Sequence, residues 1–178
     1  MSVSTVASVH ELAADYLSAC ETVLATTVGG APAASFLSPG LPALDRQCDM
    51  LTVYESAPVV IGQSSATSPG TSMRFGIQTR VGLNAQISRC IPVARETGQR
   101  YQPPTTDQLT DAAVKVMEDG WALWNGIVTQ LRDGSLYEGW PCDNVDFLAM
   151  TPLDPQGGMA GWTLSLLFEL GGYEVVLP

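Results

Sequence analysis

The chain has 178 residues, 46% of them hydrophobic and only 15% charged, with 8 basic against 18 acidic side chains and a formal charge of −10. That length suits one domain over residues 1–178, large enough to fold without a metal or a disulfide. The acidic balance excludes the overall basic footprint of a nucleic-acid binder, no apolar run approaches the ~18 residues a membrane helix needs, and ordinary apolar content argues against disorder.

Met1-Ser2-Val3-Ser4 places no basic region ahead of an apolar stretch, so no secretion signal is expected. The widely spaced Cys20, Cys48, Cys90 and Cys142 are accordingly expected to be buried free thiols. Residues 5–25 carry Val9, Leu12, Ala13, Tyr16, Leu17, Cys20, Val23 and Leu24 at helical spacing. Ser8-x-x-Glu11 offers a capping box that would start this helix at residue 8, and Gly29-Gly30 ends it. Residues 26–46 form a long connection punctuated by Gly and Pro, although Phe36, Leu37, Leu41 and Leu44 are unusual in a solvated linker.

Residues 48–55 suggest a strand. Residues 63–72, all small or polar, suggest a loop that is mobile in the free protein. In 73–93, Val81, Leu83, Ala85 and Ile87 alternate with polar residues and Gly82, as in a half-buried antiparallel strand that stops before Pro92. Residues 105–132 form the strongest element. Thr105-x-x-Gln108 is a capping box, Leu109, Ala113, Val116, Met117, Leu123, Trp124, Ile127 and Leu131 make an apolar stripe, and Gly134 is a stop. Strands at 145–151 and 161–170 flank the turn Asp154-Pro155-Gln156-Gly157-Gly158. The order helix, strand, strand, helix, strand, strand predicts an α+β fold. Two helices would pack on one face of a mainly antiparallel sheet of about four or more strands.

Catalytic patterns are sparse. His10, the one histidine, falls on the polar flank of the first helix, about 15 Å along it from Cys20. Lys115 lies inside a helix, not after a glycine-rich loop. Cys142, Asp143, Asp146 and Asp154 lack the ligand density of a calcium loop. The expectation is a protein that is not an enzyme and has no catalytic, cofactor or metal residues.

Charge is uneven instead. Arg74, Arg80, Arg89, Arg95 and Arg100 cluster in residues 74–100, and residues 107–154 are rich in acids, Glu118 and Asp119 among them. Either these pair across the sheet within the chain, or they form complementary faces between subunits. Val114 and Trp121 sit seven residues apart on the flank of the helical stripe, where an interface and a wider core suit them equally.

The segment order itself resembles a family. Cys48-Asp49-Met50-Leu51-Thr52-Val53 follows a Pro-rich loop. A long strand ends in Ser88-Arg89-Cys90-Ile91-Pro92-Val93, and a helix runs through Ala112-Ala113 to Trp121-Ala122-Leu123-Trp124. Asp154-Pro155-Gln156-Gly157-Gly158-Met159-Ala160-Gly161-Trp162-Thr163-Leu164 leads into the last strand. Over about residues 5–172 this is similar to the tail-terminator, or head-to-tail joining, proteins of long-tailed bacteriophages, especially those infecting actinobacteria. The resemblance implies a structural virion protein at the tail–head junction, assembled in the host cytoplasm. It would form a homo-oligomeric ring, usually a hexamer, that caps the tail tube protein and docks to the head-completion or connector protein. DNA would pass through the lumen without specific binding. Another neck component, such as a head-completion stopper, or a small ligand- or peptide-binding domain, are the alternatives. A closed ring needs two unlike patches. The candidates are Arg74, Arg80 and Arg89 on one side and Glu118 and Asp119 on the other, with Val114 and Trp121 adding apolar area.

Overall fold

The computed structural model describes residues 9–42, 48–65, 74–97, 100–137 and 142–176. In chain order these form α1 (Val9–Leu24), β1 (Ala34–Ser38), β2 (Met50–Ser65), β3 (Arg74–Cys90), β4 (Arg95–Thr97), β5 (Arg100–Gln102) and α2 (Thr106–Asp133). A 3-10 turn (Ser135–Tyr137), β6 (Cys142–Gln156) and β7 (Met159–Val176) follow. The fold is α+β. Five strands make one sheet in the order β1-β2-β3-β7-β6, and β4 and β5 pair as a separate short ribbon. Every neighbour in the large sheet is antiparallel except β1 with β2, so the sheet is mixed.

The register explains the core. Val53 pairs with Ala85 and Leu51 with Ile87; on the other side of β3, Ala85 pairs with Leu164, Leu83 with Leu166 and Val81 with Phe168. Residues paired directly across strands share a face, so these nine form one apolar surface, and all are fully buried. Leu12, Tyr16, Cys20 and Leu24 of α1 and Leu123 and Ile127 of α2 complete it. The Tyr16 hydroxyl donates to the Leu164 carbonyl at 3.1 Å, tying α1 to β7. Thr52, Gln86, Ser88 and Thr163, on the opposite parity of the same strands, are buried as well. The second face of the sheet centre is therefore not the solvated surface that the alternation of β3 suggests.

Local signals hold where they are chemically specific. Thr105 caps α2: its side chain accepts from the Gln108 backbone N–H, and the Gln108 side chain accepts from the Thr105 N–H at 3.0 Å. Gly134, at φ 80°, closes the helix in the left-handed region that glycine favours. Gly157 and Gly158, at φ 57° and 86°, form the two-residue turn between β6 and β7. Ser8 of the proposed first cap lies outside the described residues.

Three expectations are corrected. The connection 26–46 is not loop throughout, because β1 occupies 34–38 and pairs with β2; Phe36 and Leu37 are strand residues. Residues 63–65 are not loop either: Gln63, Ser64 and Ser65 extend β2 opposite Gly76, Phe75 and Arg74, since a backbone ladder needs no apolar side chains. The remainder of 63–72 lies outside the described residues. Finally, Cys48 and Cys90 are not free thiols but form a disulfide with Cα atoms 4.9 Å apart. Met50 pairs with Ser88, so stepping two residues outward along both strands sets Cys48 against Cys90. A separation of 42 residues conceals a juxtaposition that the register makes plain. Cys20 is free and buried, as expected; the Cys142 side chain is outside the described set.

Candidate interaction face on helix α2

The apolar stripe expected along α2 is buried only in its C-terminal half. Asp119, Gly120, Leu123 and Ile127 are the buried residues, whereas Leu109 is 47% exposed and Met117 66%. Close contact of the buried half depends on small residues. A Cβ on Gly126 would fall 2.5 Å from a Val23 methyl of α1, and one on Gly120 would fall 2.5 Å from Nε1 of Trp162. That indole N–H donates to the Val116 carbonyl at 2.8 Å, so Trp162 of β7 lies directly against the helix backbone.

On the adjoining side of α2, Val114, Met117, Trp121 and Trp124 recur at i, i+3, i+7 and i+10, a narrow seam spanning less than a quarter of the helix circumference. Val114 is 42% exposed and Trp121 69%. Trp124 is half-buried and makes an edge-on contact with Phe147 of β6, ring centres 4.4 Å apart. Met117, Gly120, Trp121, Trp124, Met150 and Trp162 enclose an open groove of about 560 Å3. Its walls are aromatic rings and thioethers, the residue types enriched where proteins meet other molecules. Glu118 projects beside it and is exposed.

The other residues considered for subunit contact lie elsewhere. Of the two readings of the uneven charge, Arg89 and Asp119 follow the first: they pair within one chain and are not opposite subunit faces. Arg89 Nε donates to Asp119 Oδ2 at 2.6 Å, its Nη2 donates to the Gly30 carbonyl at 2.6 Å, and Nη1 pairs with Asp49. Both side chains are essentially inaccessible, and Thr27 Oγ1 donates to Asp119 Oδ1 at 2.5 Å. Asp119 is three residues past Val116 and four before Leu123, which places it on the buried face, where its charge requires the Arg89 partner. Burial disfavours the Arg89 charge, but its hydrogen bonds to the Asp119 and then the Asp49 carboxylate more than offset this and raise its pKa above the ordinary guanidinium value.

Arg80 pairs with Glu169, its cross-strand partner on β7, and its Nε is buried without a hydrogen-bond partner among the described atoms. An Arg80→Glu change would therefore set two acids side by side within the chain, and could not report on assembly alone. The Arg74 side chain lies outside the described residues. Val114, Glu118 and Trp121 thus remain as the exposed members of the original set. The groove residues Met117, Trp124, Met150 and Trp162 were not foreseen as site residues. Val114 and Trp121 stand out by their seven-residue spacing, whereas Met117 and Trp124 read as part of the core stripe; β6 and β7 supply the other wall, and only tertiary structure brings them there.

His10 is exposed on α1. No helix among the described residues is long and apolar enough to cross a membrane. The sequence matches no known protein-family model and no curated protein.

Proposed function

We propose that this chain is a non-enzymatic structural subunit of a homo-oligomeric ring, hexameric by the resemblance in its sequence, which caps a bacteriophage tail tube and joins it to the head connector. The observation that supports an assembly role is the seam Val114–Met117–Trp121–Trp124 beside its apolar groove. Met117 and Trp121 are exposed, and Trp124, Met150 and Trp162, half-buried, form the rest of the groove wall. An exposed aromatic and an exposed thioether at the mouth of an apolar groove favour contact with another molecule. The formal charge of −10 suits a lumen through which DNA slides, since phosphates are repelled.

Size-exclusion chromatography with light scattering, alone and with the tail tube protein, tests the ring. Imaging of particles made without this protein tests its place. Abnormally long or headless tails identify a terminator, and tailless, leaking heads identify a head-side stopper. The groove volume of about 560 Å3 favours one further reading, a domain that binds an apolar peptide or ligand as a monomer. A chain that stays monomeric with its tail partner, yet shifts its tryptophan fluorescence with short apolar peptides, decides for that reading.

A further inference from the structure

The Cys48–Cys90 bridge adjoins the buried charge cluster at both ends. Cys48 precedes Asp49 and Cys90 follows Arg89, and these two side chains pair with each other. Asp49 holds φ 69°, a left-handed backbone conformation that Asp tolerates better than most non-glycine residues. Two constraints flank it, the covalent bridge and the Arg89 pair. Arg89 then extends the chain of contacts to Asp119 on α2 and to the Gly30 carbonyl after α1. The bridge is also reachable. Cys90 is exposed and Cys48 half-buried, and Cys90 opens on a cleft of about 660 Å3 that Val93, Pro103, Gln108, Asp111 and Lys115 help to line. Lys115 is the only lysine of the chain.

We propose that Cys48–Cys90 is a thiol-exchange site, entered through this cleft at Cys90, and that opening it loosens the Asp49–Arg89–Asp119 cluster without unfolding the domain. The co-reactant is a dithiol. Its thiolate bonds to Cys90 Sγ, the Cys48–Cys90 bond breaks, and the electron pair leaves on Cys48 Sγ, which takes a proton from water. The second thiol of the reductant gives its proton to water and attacks the reductant sulfur of the mixed disulfide, and Cys90 leaves as a thiolate that takes up a proton. The reductant leaves as a disulfide and the protein carries two thiols. The Lys115 ammonium in the cleft attracts the incoming thiolate, and the Asp111 carboxylate beside it opposes that attraction. Once Cys48 is free of Cys90, the backbone at Asp49 is no longer tied covalently to β3, and its carboxylate holds Arg89 less firmly. The α1–β1 connection and the middle of α2 then share one weaker tie. This inference does not depend on the ring.

The test treats the full chain with dithiothreitol under native conditions, alkylates it, maps each cysteine by mass spectrometry and follows amide exchange. Cys48 and Cys90 are expected to resist labelling before reduction and to label after it, while buried Cys20 stays protected throughout. Exchange is expected to rise about tenfold or more in residues 27–34 and 116–121 and to stay unchanged in 81–87. Lys115→Gln is expected to slow reduction about threefold at low salt, with the difference closing at high salt. Labelling of Cys48 and Cys90 without reductant overturns the proposal. So does labelling of Cys20 together with them, which means global unfolding, or unchanged exchange in the two segments. The paired change Cys48→Ser with Cys90→Ser provides a second measure. If it folds with the raised exchange of the reduced chain, it supports the site; if it does not fold, the bridge is a structural staple and the proposal fails.

Discussion

The two halves of α2 have similar apolar content and different fates. From Asp119 to Ile127 the helix faces α1 and the sheet, with Leu123 and Ile127 fully buried and glycines at the points of closest approach. From Thr106 to Glu118 no side chain of the helix is buried, although Leu109, Val114 and Met117 lie there. A helix earns burial from what is opposite it. In the second half that is α1 and β7; in the first half it is the edge of Trp162 and, across an open cleft, Val93 and Pro103. An apolar stripe is therefore evidence of contact with something, not of contact within the same chain.

The sharpest way to break the comparison is at the boundary. Arg89→Ala leaves the Asp119 carboxylate buried without its cation, and should cost about 3–5 kcal/mol of unfolding free energy in urea titration. Exchanging both partners for apolar residues should recover much of that loss, because the penalty lies in the unpaired charge. In the buried half, Leu123→Ala should cost about 2–5 kcal/mol, whereas Met117→Ala in the exposed half should stay within ~0.5 kcal/mol. Equal losses at the two positions would abolish the distinction between the halves.

The packing of α1 beneath the buried half also has a pH signature. Burial raises the pKa of Cys20 above the ordinary thiol value of 9.0 and that of Tyr16 above 10.0. The folded state therefore keeps protons that the unfolded chain releases. This stabilisation is complete below about pH 9 and declines as pH rises, by at most about 1.4 kcal/mol per pH unit for each group. Thermal melts from pH 8 to 10.5 should show that decline, and Cys20→Ala should make it shallower.

The smallest effect on stability is expected at the seam. Trp121→Ser should leave the melting temperature of the isolated chain nearly unchanged, within the ~0.5 kcal/mol of an ordinary surface change. In the ring reading it should abolish the oligomer seen by light scattering. A ring that survives Trp121→Ser would move subunit contact away from α2.

Much of the fold was legible because it rests on local chemistry. The Thr105–Gln108 cap, the Gly134 stop, the Gly157-Gly158 turn and the alternation Trp162, Leu164, Leu166, Phe168 all announce themselves within a few residues. What was not legible depends on register. β1 gains strand character only by pairing with β2, Cys48 meets Cys90 only because Met50 lies opposite Ser88, and Arg80 finds Glu169 only across β7. The seam was half legible: Val114 and Trp121 stood out by spacing, but which face of α2 turns inward is decided by Gly120 against Trp162 and by Arg89 reaching Asp119. A charged residue at a core-facing position is read as solvated until its partner is seen.

The bond from Tyr16 to Leu164 spans 148 residues of sequence. On a ribosome adding about 5–20 residues per second, α1 emerges roughly 7–30 s before the strand that receives its hydroxyl. From the time β3 is made until β7 follows, β3 has β2 on one side and an open edge on the other, because β7 is the strand that fills the gap between β3 and β6. The nascent chain must therefore carry an unpaired strand edge and a partly covered apolar helix until β7 is made. That favours a chaperone, or slow collapse, over domain folding from the N-terminus.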